Sequence, residues 1–407
     1  MECGKINESI KRAEKLFEKF NKRPEISHFL GTTCAQIAQF DLAKKYLKHT
    51  LESWPASGAT WLTLASIGKI QLDDPEFRQI LNAKSTVLMS NNPLVISPFY
   101  AALCKIYLDN QNYALAFEHA QLASRELMKL RTYKADADMQ AVETIICECM
   151  LSSTQTQSKI TCDNDTPIFI IGLPRSGTTL LEQMLCSHSE IADGGEFNGL
   201  ERASRILTNG ALLGSAASHF DLANIDEKLP AMRENYLRYA KQRFGDKGII
   251  VDKSLNNNRY LWLIKKLFPA APVIFMDRNV QDTAWSCFRT HFSQGLEWSN
   301  TLDDIAMHFN LEKKLNRHWH EIYENELCSI TYETLVNTPT ETISEVLKFC
   351  GLEFEPSVLD FHQSKRAVLS ASVAQVRGEL NSKSLNSAKW VEERMKVFND
   401  QFDDSKL

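Results

Sequence analysis

The segment from Ile168 to Thr179 combines residue types that bind phosphate groups. It reads Ile-Phe-Ile-Ile-Gly-Leu-Pro-Arg-Ser-Gly-Thr-Thr, so a short apolar run ends at Gly172 and small, hydroxylated and charged residues follow. Leucine and methionine residues then recur at helical spacing, which predicts a helix that begins near Thr178. The free backbone N–H groups at the start of such a helix favour an anion. The segment therefore predicts a strand, a phosphate-binding loop and a helix.

Two glycines in this loop have the spacing of the nucleotide-triphosphatase loop, which reads Gly-x-x-x-x-Gly-Lys-Ser/Thr. Gly172 and Gly177 match that pattern, but Thr178 occupies the position of the lysine. Without the lysine, transfer of a terminal phosphoryl group from a magnesium-bound triphosphate is disfavoured, while a smaller dianion or a phosphosulfate still fits. Arg175 adds a charged hydrogen-bond donor. A P-loop kinase remains an alternative.

A second basic position follows another apolar run. Val273–Met276 predicts a strand, Arg278 lies just beyond its end, and Ser286 lies eight residues after Arg278, about two helical turns along the predicted helix. In an open parallel sheet, ligands bind at the carboxyl ends of the strands. We therefore expect Arg278 and Ser286 to contact one phosphate group.

The string Leu-Pro-Arg-Ser-Gly-Thr-Thr-Leu closely resembles the 5′-phosphosulfate loop of the sulfotransferases. Arg278 and Ser286 resemble the pair that holds the 3′-phosphate of 3′-phosphoadenosine 5′-phosphosulfate (PAPS) in those enzymes. Over nearly its whole length the chain is similar to the tyrosylprotein sulfotransferases and to related bacterial proteins that join tetratricopeptide repeats to a sulfotransferase domain. The resemblance implies PAPS-dependent sulfuryl transfer, with no metal, to a hydroxyl acceptor such as a protein tyrosine. It assigns cofactor binding in the loop to Arg175, Ser176, Gly177, Thr178 and Thr179.

The same resemblance supplies further candidate site residues. Glu196, preceded by two glycines, resembles the proposed general base of the family. Lys253, at a predicted strand end, resembles the lysine that neutralises charge on the transferring sulfuryl group. Ser372 resembles the serine that assists there, and Lys389 resembles a lysine that contacts the nucleotide. The C-terminal segment departs from the family pattern, because Ser372 and Lys389 lie further apart than in the animal enzymes.

The chemistry of sulfuryl transfer accounts for these residue types independently. Negative charge builds on the sulfuryl oxygens and on the leaving oxygen, so Arg175, Lys253 and a serine hydroxyl would lower the barrier. A phenol acceptor has a pKa of about 10, and a carboxylate at Glu196 would accept its proton during attack. His188 is the competing base, because other sulfotransferases use a histidine. At the end of the first helix it equally suits a simple interaction with the helix dipole.

Four apolar runs in the second half alternate with helical patterns, which predicts a mainly parallel sheet with helices on both faces. The predicted strands are Ile168–Ile171, Gly248–Val251, Val273–Met276 and Cys328–Ile330. The predicted helices are Thr178–Ser187, Asn258–Phe268, Val280–His291 and Thr340–Cys350. The fold class is thus an α/β P-loop-like domain, which the resemblance specifies as a sulfotransferase domain.

The first part of the chain is helical in period and shows an internal repeat of tetratricopeptide type. Leu30 and Gly31 open one unit and Trp61 opens the next, while Asp136–Met150 reads as a helix that caps the stack. We predict an all-α tetratricopeptide-like domain at residues 1–157 and a sulfotransferase domain at residues 158–407. Such stacks usually hold a peptide or another protein on a concave face, and an ordinary helical bundle is the alternative.

Composition limits the class of protein. The chain has 407 residues, 43% of them hydrophobic and 24% charged, with a formal net charge of −5. These values indicate globular structure and give no support for nucleic-acid binding. No apolar run approaches the roughly 20 residues of a spanning helix and no secretory signal is visible, so we expect a cytoplasmic protein. The most different alternative function is a repeat scaffold that binds proteins and carries a degenerate sulfotransferase domain.

Overall fold

The computed structural model describes residues 6–150, 160–206, 225–245, 248–292, 295–363, 366, 376, 378, 380–382 and 384–402. Within this part of the chain, helices alone precede residue 160, and strands and helices alternate after it. The first group comprises α1 (Ile6–Lys19), α2 (Pro24–Gln36), α3 (Phe40–Ser53), α4 (Gly58–Ile67), α5 (Pro75–Met89), α6 (Pro93–Asp109), α7 (Tyr113–Met128) and α8 (Ala135–Met150). The predicted all-α character of the N-terminal region is confirmed.

Small residues allow close packing between helices of this region. A Cβ atom placed on Gly31 of α2 would lie 2.7 Å from the side chain of Leu47 on α3. One placed on Gly58 of α4 would lie 2.0 Å from the carbonyl oxygen of Val95 on α6. Both helix pairs thus depend on glycine at the crossing point. The tetratricopeptide assignment itself stays a prediction.

The second part of the chain contains one five-stranded sheet with all neighbouring strands parallel. Its strands are β1 (Ile168–Ile171), β2 (Ile191–Gly195), β3 (Ile249–Asp252), β4 (Val273–Asp277) and β5 (Leu327–Thr331), in the spatial order β2-β3-β1-β4-β5. The helices are α9 (Thr178–Leu185), α10 (Gly199–Ala203), α11 (Ile225–Phe244), α12 (Leu261–Leu267), α13 (Val280–Phe288), α14 (Leu302–Tyr323), α15 (Tyr332–Asn337), α16 (Pro339–Cys350) and α17 (Lys396–Gln401).

Each face of the sheet is covered by its own apolar core. On one face Phe169 and Phe275 pack with residues of α11, α12 and α14. On the other face Ile170 and Met276 pack with residues of α9 and α16. Successive strand residues point to opposite faces, so a strand buried on both faces must be apolar throughout, as Ile168–Ile171 is. The predicted parallel sheet with helices on both faces is confirmed.

The helical region is packed directly against the sheet domain. Phe117 of α7 stacks on Trp285 of α13, with ring centroids 5.6 Å apart. Helix α8 places Val142 and Ile145 in the same apolar core as α11, α12 and α14. The prediction that α8 caps the helical stack is corrected here, because its buried face covers the sheet domain. The boundary between residues 157 and 158 stays a prediction.

The predicted elements differ from the observed ones in identifiable places. Strand β2 was not predicted, because Ile191–Gly195 reads Ile-Ala-Asp-Gly-Gly and has only one β-branched residue. The predicted helix Asn258–Phe268 divides into a 3₁₀ turn and α12, since the Asn257 side chain donates hydrogen bonds to Asp252 and holds that turn. The long helices α11 and α14 were also missed.

Among the described residues, no helix has both the length and the apolar character that a membrane crossing requires.

Candidate active site

The loop between β1 and α9 is shaped by two glycines that no other residue could replace without strain. A Cβ atom on Gly172 would lie 2.6 Å from the carbonyl oxygen of Met276 on the neighbouring strand. Gly177 has φ +106°, and a Cβ atom there would lie 2.5 Å from the ring of Tyr332. Arg175 also has a positive φ of 71°. The loop therefore turns tightly into α9 with its backbone against β4 and Tyr332.

Three arginines converge where this loop meets α13. Nε of Arg175 donates to Oγ of Ser286 at 3.0 Å. Arg278 donates to the carbonyl oxygen of Arg175 at 3.0 Å, and its guanidinium lies 4.6 Å from the ring centroid of Tyr332. Burial and the positive charges of Arg289 and Arg278 lower the pKa of Arg175 to about 10, and burial also lowers the pKa of Arg289. The cluster thus holds excess positive charge away from water and favours an anion.

Several polar atoms in this cluster have no protein partner. Among the described residues, Oγ of Ser176 and the Nε atoms of Arg278 and Arg289 are buried without a hydrogen bond. Leaving such groups unsatisfied costs free energy, so these three atoms are available to hydrogen-bond a bound anion. The sequence analysis predicted Ser176 and Arg278 but missed Arg289. Its place three residues after Ser286, on the same helical side, could have suggested it.

Glu196 and Lys253 are brought together by the ends of β2 and β3. Nζ of Lys253 contacts Oε1 of Glu196 and lies 3.8 Å from Oε2 of Glu182. The Lys253 side chain is 3% exposed and that of Glu196 is 29% exposed. The backbone N–H of Lys253 also donates to the carbonyl oxygen of Gly195 at 3.1 Å. The carboxylate predicted as the base and the lysine predicted to neutralise charge therefore form one ion pair.

Buried hydrogen bonds fix the loops on which this pair sits. Asp252, fully buried, accepts from the backbone N–H of Ser254 at 2.9 Å and from the hydroxyl of Tyr236 at 2.9 Å. Oγ of Ser254 accepts in turn from the backbone N–H of Asn198 at 3.1 Å. The segment after Lys253 is thus tied to the segment after Glu196. Burial raises the pKa of Asp252.

Arg366 joins the acidic side of the site and was not predicted. Its guanidinium bonds to Glu182 at 2.6 Å and also contacts Asp193 and the carbonyl oxygen of Gly194. Arg366 is far from these residues in sequence, and nothing local to it indicates the contact. It neutralises two carboxylates next to the Glu196 pair.

His188 lies at the opposite end of the sheet from this pair. It precedes β2, whereas Glu196 follows that strand. Its Nε2 atom is 2.9 Å from the carbonyl oxygen of Glu353, and its Nδ1 atom accepts from the backbone N–H of Glu190. Both ring nitrogens are therefore engaged, and the side chain is removed from the loop at Gly172. This placement favours Glu196 over His188 as the base.

Of the two site residues predicted in the C-terminal segment, the structure describes only Lys389. Ser372 lies outside the described residues. Lys389 is exposed on the 3₁₀ segment Ser387–Met395. The segment itself reaches the arginine cluster, because Arg278 donates to the carbonyl oxygen of Ser384 and the backbone N–H of Ala388 donates to Asp282 at 2.8 Å. Lys389 is thus one residue from a contact with α13, while its assigned nucleotide contact stays a prediction.

A cavity of about 520 Å³ opens beside the loop between β1 and α9, which we call the glycine loop. Gly172, Leu173 and Pro174 line one side, and residues of α8 line another. Among the residues that the structure describes, no group of three or more His, Cys, Asp or Glu side chains is arranged to hold a metal ion.

Comparisons with known proteins identify the relatives of this chain. Residues 167–356 match the model of the family described as "Sulfotransferase family". An uncharacterized protein of Aquifex aeolicus (strain VF5) is 32% identical over 231 residues, which are 55% of this chain and 30% of that protein. Protein-tyrosine sulfotransferase 2 of Gallus gallus is 25% identical over 198 residues, 47% of this chain and 53% of that protein. The match thus spans only part of these relatives.

Solved structures also resemble the chain. A sulfotransferase domain from the curacin biosynthetic pathway has a TM-score of 0.33 and 15% identity, with 59% of this chain and 99% of that chain covered. A mouse sulfotransferase complexed with PAP has a TM-score of 0.35 and 14% identity, with 60% of this chain and 86% of that chain covered.

Proposed function

Because residues 167–356 match the sulfotransferase-family model, we propose that this chain transfers the sulfuryl group of PAPS to a hydroxyl acceptor. The observation that carries the proposal is the joining of two anion-binding elements. The glycine loop at Gly172–Thr178 and the helix with Ser286 meet through Arg175. A nucleotide with phosphate groups at both its 5′ and 3′ positions needs two such elements side by side.

The residues present fit this cofactor. Arg175, Ser176, Gly177, Thr178 and Thr179 would hold the 5′-phosphosulfate, since backbone N–H groups at the start of α9 and the unpartnered Ser176 hydroxyl favour it. Arg278 and Ser286 would hold the 3′-phosphate, with Arg289 as a third donor. When bound, PAPS supplies an activated sulfuryl group and a phosphate leaving group.

The ion pair of Glu196 and Lys253 would act on both the acceptor hydroxyl and the transferring sulfuryl group. Glu196 is the more exposed partner, so an acceptor hydroxyl can reach its carboxylate and give up its proton there. Lys253, released from part of that ion pair, donates to oxygens on which negative charge develops. Arg175 would donate to the same developing charge from the glycine loop, and the buried setting would strengthen both interactions.

The acceptor is a hydroxyl compound for which a protein tyrosine is one candidate. This candidate rests on the relatives named protein-tyrosine sulfotransferase. If the acceptor is a peptide or protein, the helical region would hold it; a small phenol is the other candidate. The proposal also includes Lys389 as a nucleotide contact and Ser372 as a hydroxyl that assists at the sulfuryl group.

Two measurements test the function. Isothermal titration should show that 3′-phosphoadenosine 5′-phosphate binds more tightly than adenosine 5′-phosphate, by about tenfold to a hundredfold for charge-assisted contacts to the second phosphate. Incubation with labelled PAPS should then transfer sulfate to a member of a panel of phenols, tyrosine peptides and sugars. Equal affinity for the two nucleotides, or tighter binding of ATP with magnesium, would contradict the proposal.

A further inference from the structure

The cavity beside the glycine loop is built by both parts of the chain. Leu173 and Leu255 contribute apolar surface from the sheet domain, whereas Tyr133, Ala137 and Ala141 contribute surface from α8 and the turn before it. A cavity of about 520 Å³ is within the range that encloses a compact organic molecule. The helical region is therefore a wall of this cavity.

Paired charges fix this wall in position. Asp138 of α8 contacts Arg259, and its other oxygen lies 2.9 Å from Nδ1 of His308 on α14. Arg259 also bonds to Glu312 at 2.8 Å, and the ring of Trp298 stacks on His308 with centroids 4.2 Å apart. These groups satisfy one another, so α8 is held rigidly across from the glycine loop.

Tyr260 and Glu201 are among the polar side chains of the lining that lie outside that network. Tyr260 is 2% exposed, and its hydroxyl has no hydrogen-bond partner among the described residues. Burial, with a smaller contribution from the charge of Glu201, raises the pKa of Tyr260 against the opposing effect of the nearby Ser204 side chain, which lies outside hydrogen-bond geometry. Burial also raises the pKa of Glu201. The carboxylate only accepts hydrogen bonds and the hydroxyl can accept one as well as donate, so a ligand that brings a hydrogen-bond donor can bond to both.

The lining carries more negative than positive groups. Its ionisable residues other than histidine and tyrosine are the carboxylates Asp138, Glu201, Glu297 and Glu312 and the cations Lys134 and Arg259. Arg259 already pairs with two of these carboxylates. Glu297 pairs with Arg131 at 3.5 Å, and the charges of Arg205 and Arg202 partly offset that of Glu201. An acidic peptide would still meet more negative than positive groups in the lining itself, which opposes binding.

We propose that this cavity is the acceptor site and that α8 contributes to its specificity. The cavity binds a compact phenol that carries a hydrogen-bond donor at the end remote from the reacting hydroxyl. Tyr260 and Glu201 bind that donor. The phenol ring packs between Leu173, Leu255 and the small residues of α8. The inference rests on the proposed function, because the phenol hydroxyl must extend past the glycine loop, which lines the cavity, to the Glu196 carboxylate, which lies outside the lining.

Matched probes test the ligand class. Tyramine carries an ammonium group remote from its phenol, 4-methylphenol carries none, and 4-hydroxyphenylacetate carries a carboxylate. With PAPS as donor, kcat/KM should fall in that order, with tyramine at least about tenfold above 4-hydroxyphenylacetate. A tyrosine peptide flanked by glutamates should be the poorest acceptor. Titration of the same phenols into the enzyme saturated with 3′-phosphoadenosine 5′-phosphate should give the same order.

Variants test the assigned surfaces. Tyr260→Phe removes only the hydroxyl and should raise KM for tyramine about fivefold to tenfold while leaving KM for 4-methylphenol unchanged. Tyr107→Phe, at a half-buried tyrosine in the helical stack, is the matched control. Ala141→Phe fills the cavity from α8 and should abolish acceptor binding with nucleotide affinity intact. Gln140→Phe, at an exposed position of the same helix, should change neither.

The possible failures are distinguishable. Efficient sulfation of the glutamate-flanked peptide, or equal effects of Tyr260→Phe on tyramine and 4-methylphenol, would overturn the inference and leave the sulfotransferase function intact. Normal acceptor kinetics in a folded Ala141→Phe enzyme would remove α8 from the acceptor site. Absence of sulfate transfer to phenols alone would overturn the inference, whereas absence of transfer to every phenol, tyrosine peptide and sugar of the panel would contradict the proposed function. Titration of tyramine into the nucleotide complex would still decide whether the cavity binds it.

Discussion

Nε of Arg175 donates a hydrogen bond to Oγ of Ser286 across 3.0 Å. Arg175 belongs to the loop after β1, and Ser286 belongs to the helix after β4, which is the neighbouring strand. The residues assigned to the two ends of the nucleotide are thus in direct contact. A change on one side should therefore have a smaller but measurable effect on the other side.

Removal of the Arg278 side chain should selectively weaken binding of a 3′-phosphorylated nucleotide. Arg278→Ala should lower the affinity for 3′-phosphoadenosine 5′-phosphate about tenfold to a hundredfold, because a charge-assisted contact contributes roughly 1.5–3 kcal/mol. Affinity for adenosine 5′-phosphate should change much less. Isothermal titration of both nucleotides measures this difference, and Arg238→Ala, at an exposed arginine of α11, is the control. An equal loss of affinity for both nucleotides would show that Arg278 does not contact the 3′-phosphate.

Replacement of Glu196 should separate catalysis from nucleotide binding. Glu196→Gln keeps the size and hydrogen bonding of the side chain but removes the proton acceptor, so turnover should fall about 10²–10⁴-fold. Nucleotide affinity should survive. Sulfate transfer from labelled PAPS, measured beside a nucleotide titration, checks both points.

His188→Ala is the informative partner of that variant. His188 is 3% exposed and bonds to the backbone of Glu353 and Glu190, so its loss should lower stability and leave turnover per folded molecule nearly unchanged. Thermal unfolding and active-site titration separate the two effects. An inactive but stably folded His188→Ala enzyme, together with an active Glu196→Gln enzyme, would reverse the assignment of the base.

The helical region should support the helix that carries Ser286. Phe117 of α7 is 4% exposed and stacks on Trp285, so Phe117→Ala should cost about 3–5 kcal/mol of unfolding free energy. Because Trp285 is adjacent to Ser286, nucleotide affinity should fall as well. Phe20→Ala, at a 45% exposed position of the helical region, should change the unfolding free energy by less than about 0.5 kcal/mol. Unaltered nucleotide binding by Phe117→Ala would show that α13 needs no such support.

The contact of Asp138 with His308 and Arg259 should make stability depend on acid pH. Burial opposes ionisation of Asp138, but the hydrogen bond with His308 and the charge of Arg259 outweigh it and hold the pKa of Asp138 well below its usual range. Such a group stabilises the folded state above the unfolded pKa of about 3.9, and this stabilisation is lost as the pH falls through the folded pKa. Asp138→Asn should therefore cost about 3 kcal/mol at neutral pH.

Urea unfolding of both proteins from pH 7 down to pH 3 measures this dependence. The difference in unfolding free energy should stay constant above about pH 5 and narrow below about pH 4, where Asp138 begins to protonate in the unfolded chain. A difference that does not vary with pH would mean that Asp138 acts through packing alone.

Local sequence patterns predicted many of the site residues but not all of them. The glycine loop and Arg278 were predictable because parallel strands present their carboxyl ends at one edge, and each of these residues follows a recognisable apolar run. Helix α14 could also have been found, since Ile305, Phe309 and Trp319 recur on one helical face. Its charged residues obscured the pattern.

Other parts depend on tertiary contacts that no local pattern contains. Strand β2 owes its pairing to β3 rather than to its own composition. Arg366 meets Glu182 across 184 positions of sequence. The wall that α8 gives to the cavity depends on Asp138 finding Arg259, 121 positions away. Such contacts are selected by burial and charge pairing in the folded state, which the spacing of residue types does not encode.

The pairing of β2 with β3 constrains how this sequence can diverge. Gly195 lies opposite Asp252 in the parallel ladder, and the next residues along the two strands are Glu196 and Lys253. The separation of the acidic and basic groups is therefore inherited from backbone pairing. An inserted or deleted residue after the register shift at Ile191–Asp193 would move Glu196 by one position and turn it to the other face. In homologous proteins, the spacing from Gly194 to the acidic residue should be preserved together with Gly194 itself, because a Cβ atom there would lie 2.7 Å from the carbonyl oxygen of Val251.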